Sequence, residues 1–210
     1  MSSSEITLAE IFAEKNYKTG IFGKWHLGDN YPSRPSDQGF QESLIHLAGG
    51  IGQVGDFTNY YAGNESYFDP ALWHNNEIKK YEGYCSDIFT DEALKFIEQN
   101  KSNQFFCYLS FNAPHTPLQV PEKYYDLYKD IDPSNFYEEV TSEMTERDVN
   151  DAKKIYGMVT NIDENFGKLL FKLEELGIKE NTIVIFLTDN GPQQTRYVSN
   201  LRGLKSQVYN

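Results

Sequence analysis

Two imidazoles, an ammonium, a carboxylate and an amide stand out in this chain because each follows directly on an apolar, strand-like run. They lie in Gly23-Lys24-Trp25-His26-Leu27-Gly28, Ala113-Pro114-His115-Thr116-Pro117 and Thr188-Asp189-Asn190-Gly191-Pro192. Open α/β sheets bind ligands in the crevice beyond the carboxyl ends of their strands, so polar residues stationed past three strands can converge on one pocket. Such a set suits an anionic ester and a hard cation. Lys24 and His26 flank Trp25, and alternate residues of an extended segment point the same way. The lysine would supply fixed positive charge, while the imidazole could protonate a leaving oxygen or bind an oxyanion. A surface lysine beside a structural histidine fits the same string.

His115 lies among prolines whose fixed φ stiffens the backbone that would present its ring. Asp189 and Asn190 offer hard oxygen ligands of the kind Ca²⁺ or Mg²⁺ takes, yet two are too few for a closed site. Asp-Asn-Gly-Pro is equally ordinary turn chemistry. Arg202-Gly203-Leu204-Lys205 brings a further cation, Lys205, which a glycine turn also leaves simply solvated. His46 and His74 are structural or substrate-contacting. Tyr60, Tyr61, Tyr67, Phe68 and Trp73 make either a sugar-stacking wall or a local core.

The elements that must position these groups alternate between helix and buried strand. Thr7 to Glu10 reads as a capping box that starts a helix running to about Lys15. Asn16 to Gly20 then turns into a strand ending at Phe22. Residues 29–84 are rich in Gly, Pro, Asn and aromatics without clear periodicity, and read as a long irregular excursion, a type of segment that usually carries function or short strands of its own. Ser86 to Gln99 reads as a helix with Ser86 as its cap. Gln104 to Phe111 is nearly continuous in apolar residues, as in a strand buried on both faces of a mostly parallel sheet. Val149 to Leu176 holds helical spacing up to Gly177, a natural residue just past a helix end. Thr182 to Leu187 repeats the buried-strand pattern. Alternation of this kind places the chain in the α/β class.

Composition narrows the field. At 210 residues with 39% hydrophobic and 15% aromatic content, the chain can bury the core of one sizeable domain. Nineteen basic against thirty-one acidic residues give a net charge of −12, so nucleic acid gains no electrostatic support and an anionic substrate must be held by local charge. Cys85 and Cys107 form no CxxC pair, so neither a zinc site nor a disulfide framework is indicated. No apolar run is long enough to span a membrane. The first residues lack a basic region followed by an apolar one, so no secretory signal is read there.

Jointly, the strings resemble the type I, formylglycine-dependent sulfatase family, arylsulfatase-like, of the alkaline-phosphatase-like superfamily. Tyr17 to Gly28 looks like that family's second signature almost residue for residue, and Arg202-Gly203-Leu204-Lys205-Ser206 looks like its glycine-lysine element, with Leu204 where a glycine is common. The resemblance implies an α/β/α sandwich with a mostly parallel central sheet, and hydrolysis of a sulfated small molecule or glycan, that is, a carbohydrate or aryl sulfate ester. It implies Asp189 and Asn190 as Ca²⁺ ligands, and Lys24, His26, His115 and Lys205 around the sulfate, with His115 ranked slightly above His26 as the acid for the leaving group.

The family's Cys-or-Ser-x-Pro-x-Arg string, source of the formylglycine nucleophile, is absent. Asn30-Tyr31-Pro32-Ser33-Arg34 keeps the Pro-x-Arg tail, but Asn30 cannot become an aldehyde by that route. The acidic pair that would complete the calcium site is also missing. The chain therefore reads as the central part of one catalytic domain, residues 1–210 with 29–84 insertion-like, inactive by itself and drawn from a parent exported to the periplasm or beyond the cell. A phosphodiesterase or phosphonate hydrolase of the same superfamily would carry more Asp and His ligands than the single Asp-Asn pair. A non-catalytic binding protein on this scaffold is the third reading.

Overall fold

Thr7 heads the first helix as its sequence predicts. Its hydroxyl accepts from the Glu10 amide at 3.1 Å, and the Glu10 carboxylate accepts from the Thr7 amide at 2.7 Å. This box caps α1, Leu8–Glu14. The same hydroxyl donates to the Gln38 carbonyl at 2.7 Å, which pins the helix to a distant loop. The computed structural model describes residues 4–57, 66–136, 144–194, 196 and 204–206.

Lys18–Lys24 forms β1, with β2 (Glu42–His46) and β5 (Phe105–Ser110) parallel to it on either side. β3 (Ala71–His74) and β4 (Glu77–Lys80) extend the sheet antiparallel beyond β2, giving the order β4-β3-β2-β1-β5. The three parallel strands β2, β1 and β5 all end on the same side, and that shared end is where the first two chemical strings begin.

Neighbouring residues of β1 bury opposite faces of the sheet, as period-two alternation requires. Phe22 joins Leu44, Phe89, Phe96, Met158 and Leu173, whereas Ile21 joins Ala9, Trp25, Phe40 and Ile45. The first cluster lies under α2 (Cys85–Gln99) and α4 (Glu146–Glu175), the second under α1. The sheet is thus covered on both faces, the α/β/α arrangement expected. Asp87 fixes how the two large helices meet, accepting from the Asn161 and Asn165 side-chain amides at 2.9 and 2.7 Å. A short helix, α3 (Glu122–Tyr125), packs against α4.

α4 begins at Glu146 instead of Val149, because Thr145 and Asp148 form a second capping box that apolar spacing does not register. It is followed by Gly177 at φ 68°, a left-handed residue that closes the helix at little cost for glycine. α2 starts one residue before the expected cap. Tyr84 occupies the cap position without a side-chain hydrogen bond, and Ser86 is inside the helix.

Three expectations are corrected. Residues 29–84 are not simply irregular: they contribute β2, β3 and β4 and bury Leu44, Ile45 and Leu72. Strands of four or five residues offer too few alternations for the period to stand out. β5 is only partly buried, with Tyr108 45% exposed, since its outer edge has no partner strand among the described residues. Thr182 to Leu187 lies in no ladder, and Ile183, Ile185 and Leu187 are 89%, 73% and 77% exposed. An apolar run reports a need for burial and is silent on whether the partner is at hand.

Contiguous apolar residues open to water favour dye binding and association. Ile185→Asp is expected to lower both the fluorescence of a bound apolar dye and concentration-dependent light scattering, with circular dichroism unchanged. Equal dye binding by the variant would count against this.

Candidate active site

Lys24 is placed by a close approach between strands. Gly23 has φ 125°, and a Cβ there would stand 1.9 Å from the Ser110 carbonyl oxygen, so a side chain at this point would force β1 and β5 apart. Ser110 Oγ in turn donates to the Lys24 carbonyl at 2.7 Å. Trp25 then anchors the exit from the strand, its Nε1 donating to the Ser33 and Gly28 carbonyls at 2.8 and 3.1 Å and its ring meeting Phe40 edge-on. Lys24 remains half-buried and His26 exposed on either side of that anchor. His26 sits at φ 55°, so a left-handed turn presents its ring in place of the extended run that alternation assumes.

His115 is held from several directions. Its amide donates to the Asn112 carbonyl at 3.0 Å, and its own carbonyl accepts from the buried Tyr67 hydroxyl at 2.7 Å. The Asn112 side-chain amide donates to that same hydroxyl. Gln119 Oε1 accepts from the Ser66 and Tyr67 amides, each at 2.9 Å, which secures Tyr67. His115 Nδ1 lies 2.8 Å from the Thr116 carbonyl oxygen. A carbonyl only accepts, so Nδ1 carries the hydrogen and Nε2 is left to meet a ligand.

The wall beneath both imidazoles is the loop after β2. A Cβ at Gly49 would come within 2.8 Å of His26 Cε1 and Nε2, and one at Gly50 within 3.0 Å of His115 Nδ1. Sequence reading missed this wall because Gly-Gly signals a loop and says nothing of what the loop touches.

Electrostatics join the remaining strings to the site. Burial lowers the Lys24 pKa from its ordinary value; Asp189 acts against this and Lys205 adds to it. Burial also lowers the His115 pKa, with Lys24 and Lys205 adding to the effect while the Thr116 carbonyl and Asp189 oppose it. Lys205 is tied to the Asp189 turn by its amide, which donates to the Pro192 carbonyl at 2.7 Å. The structure thus sets Lys24, His26 and His115 at one rim of the sheet, with Asp189 and Lys205 near enough to act on Lys24 and His115, and Asn190 in the exposed turn beside Asp189.

Other candidates lie elsewhere. His74 is hydrogen-bonded to Tyr81 on the antiparallel side of the sheet. Arg34 spends its guanidinium on Asp37, at 2.8 and 2.9 Å. Tyr67 is buried against Tyr84 and Trp73 packs on Phe57, so these rings serve as core and not as a stacking wall. Tyr60, Tyr61, Arg202 and Gly203 lie outside the described residues.

Among the described residues, no group of three or more His, Cys, Asp or Glu could hold a metal ion. Asp189 and Asn190 present two hard oxygens, against the six to eight that Ca²⁺ takes. These residues alone do not constitute a calcium site.

Gly50→Ala is expected to displace the His115 ring and shift its NMR resonances while circular dichroism stays as in the parent. Unmoved His115 resonances would remove the loop from the site.

The Sulfatase family model matches residues 2–209. An uncharacterised sulfatase from Schizosaccharomyces pombe is 30% identical over 89% of this chain and 41% of its own length. The arylsulfatase of Klebsiella aerogenes is 26% identical over 88% of this chain and 47% of its own. In a crystal structure of Ps i-CgsB in complex with k-i-k-neocarrahexaose, 36% of that chain superposes on 80% of this one at TM-score 0.61 and 30% identity. The chain spans less than half the length of these relatives.

Proposed function

The chain belongs to the sulfatase family, and from that premise we propose that it carries the anion-gripping part of a sulfuric ester hydrolase acting on a carbohydrate or aryl sulfate. The observation behind this reading is the meeting of Lys24, His26, His115 and Lys205 at one set of strand ends, inside a chain of net charge −12. Positive neighbours add to the lowering of Lys24 and His115 protonation, and an anion relieves that cost. A sulfate ester is such an anion, and charge builds on its leaving oxygen as the sulfur–oxygen bond breaks.

Lys24 and Lys205 would bind the sulfuryl oxygens, whose charge an ammonium in a partly dry site stabilises far better than water does. Once the bound anion has drawn a second proton onto its ring, His115 would give that Nε2 proton to the departing sugar or aryl oxygen and return to the neutral Nδ1–H form. Its ring is already oriented through Nδ1, and His26 is the second imidazole within reach of the same anion. Asp189 and Asn190 would contribute two oxygens to a Ca²⁺ site completed by ligands that this chain does not bring to it. No residue here can be converted to formylglycine by the family's signature, so the chain by itself is expected to bind sulfate and not to turn over an ester. The resemblance further supports a parent that works in the periplasm or outside the cell. Among the described residues no helix is long and apolar enough to cross a membrane.

Titration of the chain with inorganic sulfate, followed by calorimetry, tests the grip. Lys24→Met is expected to weaken binding about tenfold, the scale of one charge-assisted hydrogen bond, whereas Asp132→Asn, remote and exposed, leaves it unchanged. Equal affinities for wild type and Lys24→Met would sink the assignment. 4-Nitrophenyl sulfate should be bound without release of nitrophenol.

The sign of the pH dependence follows from His115. Its pKa is lowered in the free protein and an anion raises it again, so binding takes up a proton and tightens as pH falls. The gain begins near the pKa of the complex and is complete below that of the free protein. Sulfate affinity is therefore expected to rise as pH falls through the histidine range, with the gain completed below the ordinary imidazole value because the free His115 pKa is lowered, and His115→Gln should lose that part of the rise.

A further inference from the structure

His46 ends β2 and pairs in register with Lys24 across the parallel ladder. Residues so paired carry their side chains on the same face of the sheet. His46 is fully buried, and its Nδ1 lies 2.8 Å from the Leu47 carbonyl oxygen. Because that oxygen can only accept, Nδ1 holds the hydrogen and Nε2 keeps a lone pair. Nε2 is buried and has no hydrogen-bond partner. A buried acceptor without a donor is costly, and in native structures such atoms nearly always find one.

The charged and titratable groups that face this ring come from three elements: Lys24 at the end of β1, His26 in the turn after it, and His115 after β5. His115 already commits its Nδ1 hydrogen to Thr116. Lys24 has three donors, and its ammonium makes no hydrogen bond or ion pair with the described residues. Burial, aided by these three neighbours, pushes the His46 pKa down to about 4, so the ring stays neutral and does not repel the lysine.

We propose that His46 is a positioning residue for Lys24: its Nε2 accepts one ammonium hydrogen and aims the other two at the bound anion. This rests on the reading of Lys24 as an anion ligand.

The test uses the full 210-residue chain with ¹³C-labelled lysine, comparing wild type with His46→Phe and His46→Gln. In His46→Phe the Lys24 titration midpoint is expected to fall by about one pH unit, as loss of a hydrogen bond to the charged form dictates. Inorganic sulfate should bind about fivefold more weakly. His46→Gln keeps an acceptor and should restore most of both. An unchanged Lys24 midpoint in folded His46→Phe overturns the proposal, even if sulfate affinity drops, since a merely structural role would leave that titration alone. Failure of the wild-type chain to bind sulfate would instead strike the anion reading and leave the Lys24 titration to judge His46. If His46→Phe does not fold, Lys24→Met in a ¹⁵N-histidine background decides: the His46 Nε2 resonance should move toward that of a free lone pair, and a resonance that stays put refutes the contact.

Discussion

The close contact of β1 with β5 at Gly23 and Ser110 is the constraint on which the site depends. Glycine at that point lets the two backbones approach, and the Ser110 hydroxyl then binds the carbonyl of Lys24 itself. With β2 locked on the other side, three parallel strands deliver Lys24, His46 and the His115 loop to one rim of the sheet. Parallel strands make this possible because their carboxyl ends coincide, which an antiparallel arrangement forbids for neighbours. Two side-chain anchors outside the ladder serve the same alignment. Trp25 pins one exit loop, and Tyr67 with Gln119 pins the other.

The rim so assembled is unbalanced in charge. Lys205 makes Lys24 harder to protonate and both act on His115, while Asp189 offsets part of this. Burial is the largest contributor for Lys24 and His115 alike, because charge withdrawn from water loses hydration that the surrounding groups do not replace. On the reading proposed for this rim, an anion would replace the lost hydration and cancel the repulsion at once. The Gly49-Gly50 loop matters here through its lack of side chains, since a methyl group in either place would push an imidazole out of line.

The sheet is less complete than its sequence pattern suggests. β5 has one neighbour among the described residues, and the run from Ile183 to Leu187 leads to Asp189 without joining a ladder. Relatives matched by this chain are more than twice as long as the part it covers. Among the described residues Asp189 and Asn190 close no metal site.

Much of this was legible from residues alone. Helix caps are local hydrogen-bond chemistry, so Thr7 and Glu10 announced α1. Long apolar periods identify long elements, so the spacing locates α2, β5 and α4 to within a few residues, and turn residues after apolar runs single out Lys24, His26, His115 and Asp189 as candidates. Where sequence reading failed, the information was not local. Of the short strands within 29–84, β2 pairs with β1 while β3 and β4 add on successively beyond it, and the exposure of Ile183 to Leu187 depends on which strands surround it. Nothing in the sequence set His46 or Gly49 and Gly50 beside the chemical strings, because proximity across a ladder is decided by register. By itself the sequence determined the class of fold and the kinds of groups available. Only the tertiary structure decided which of those groups meet, since parallel pairing joins residues that lie far apart along the chain.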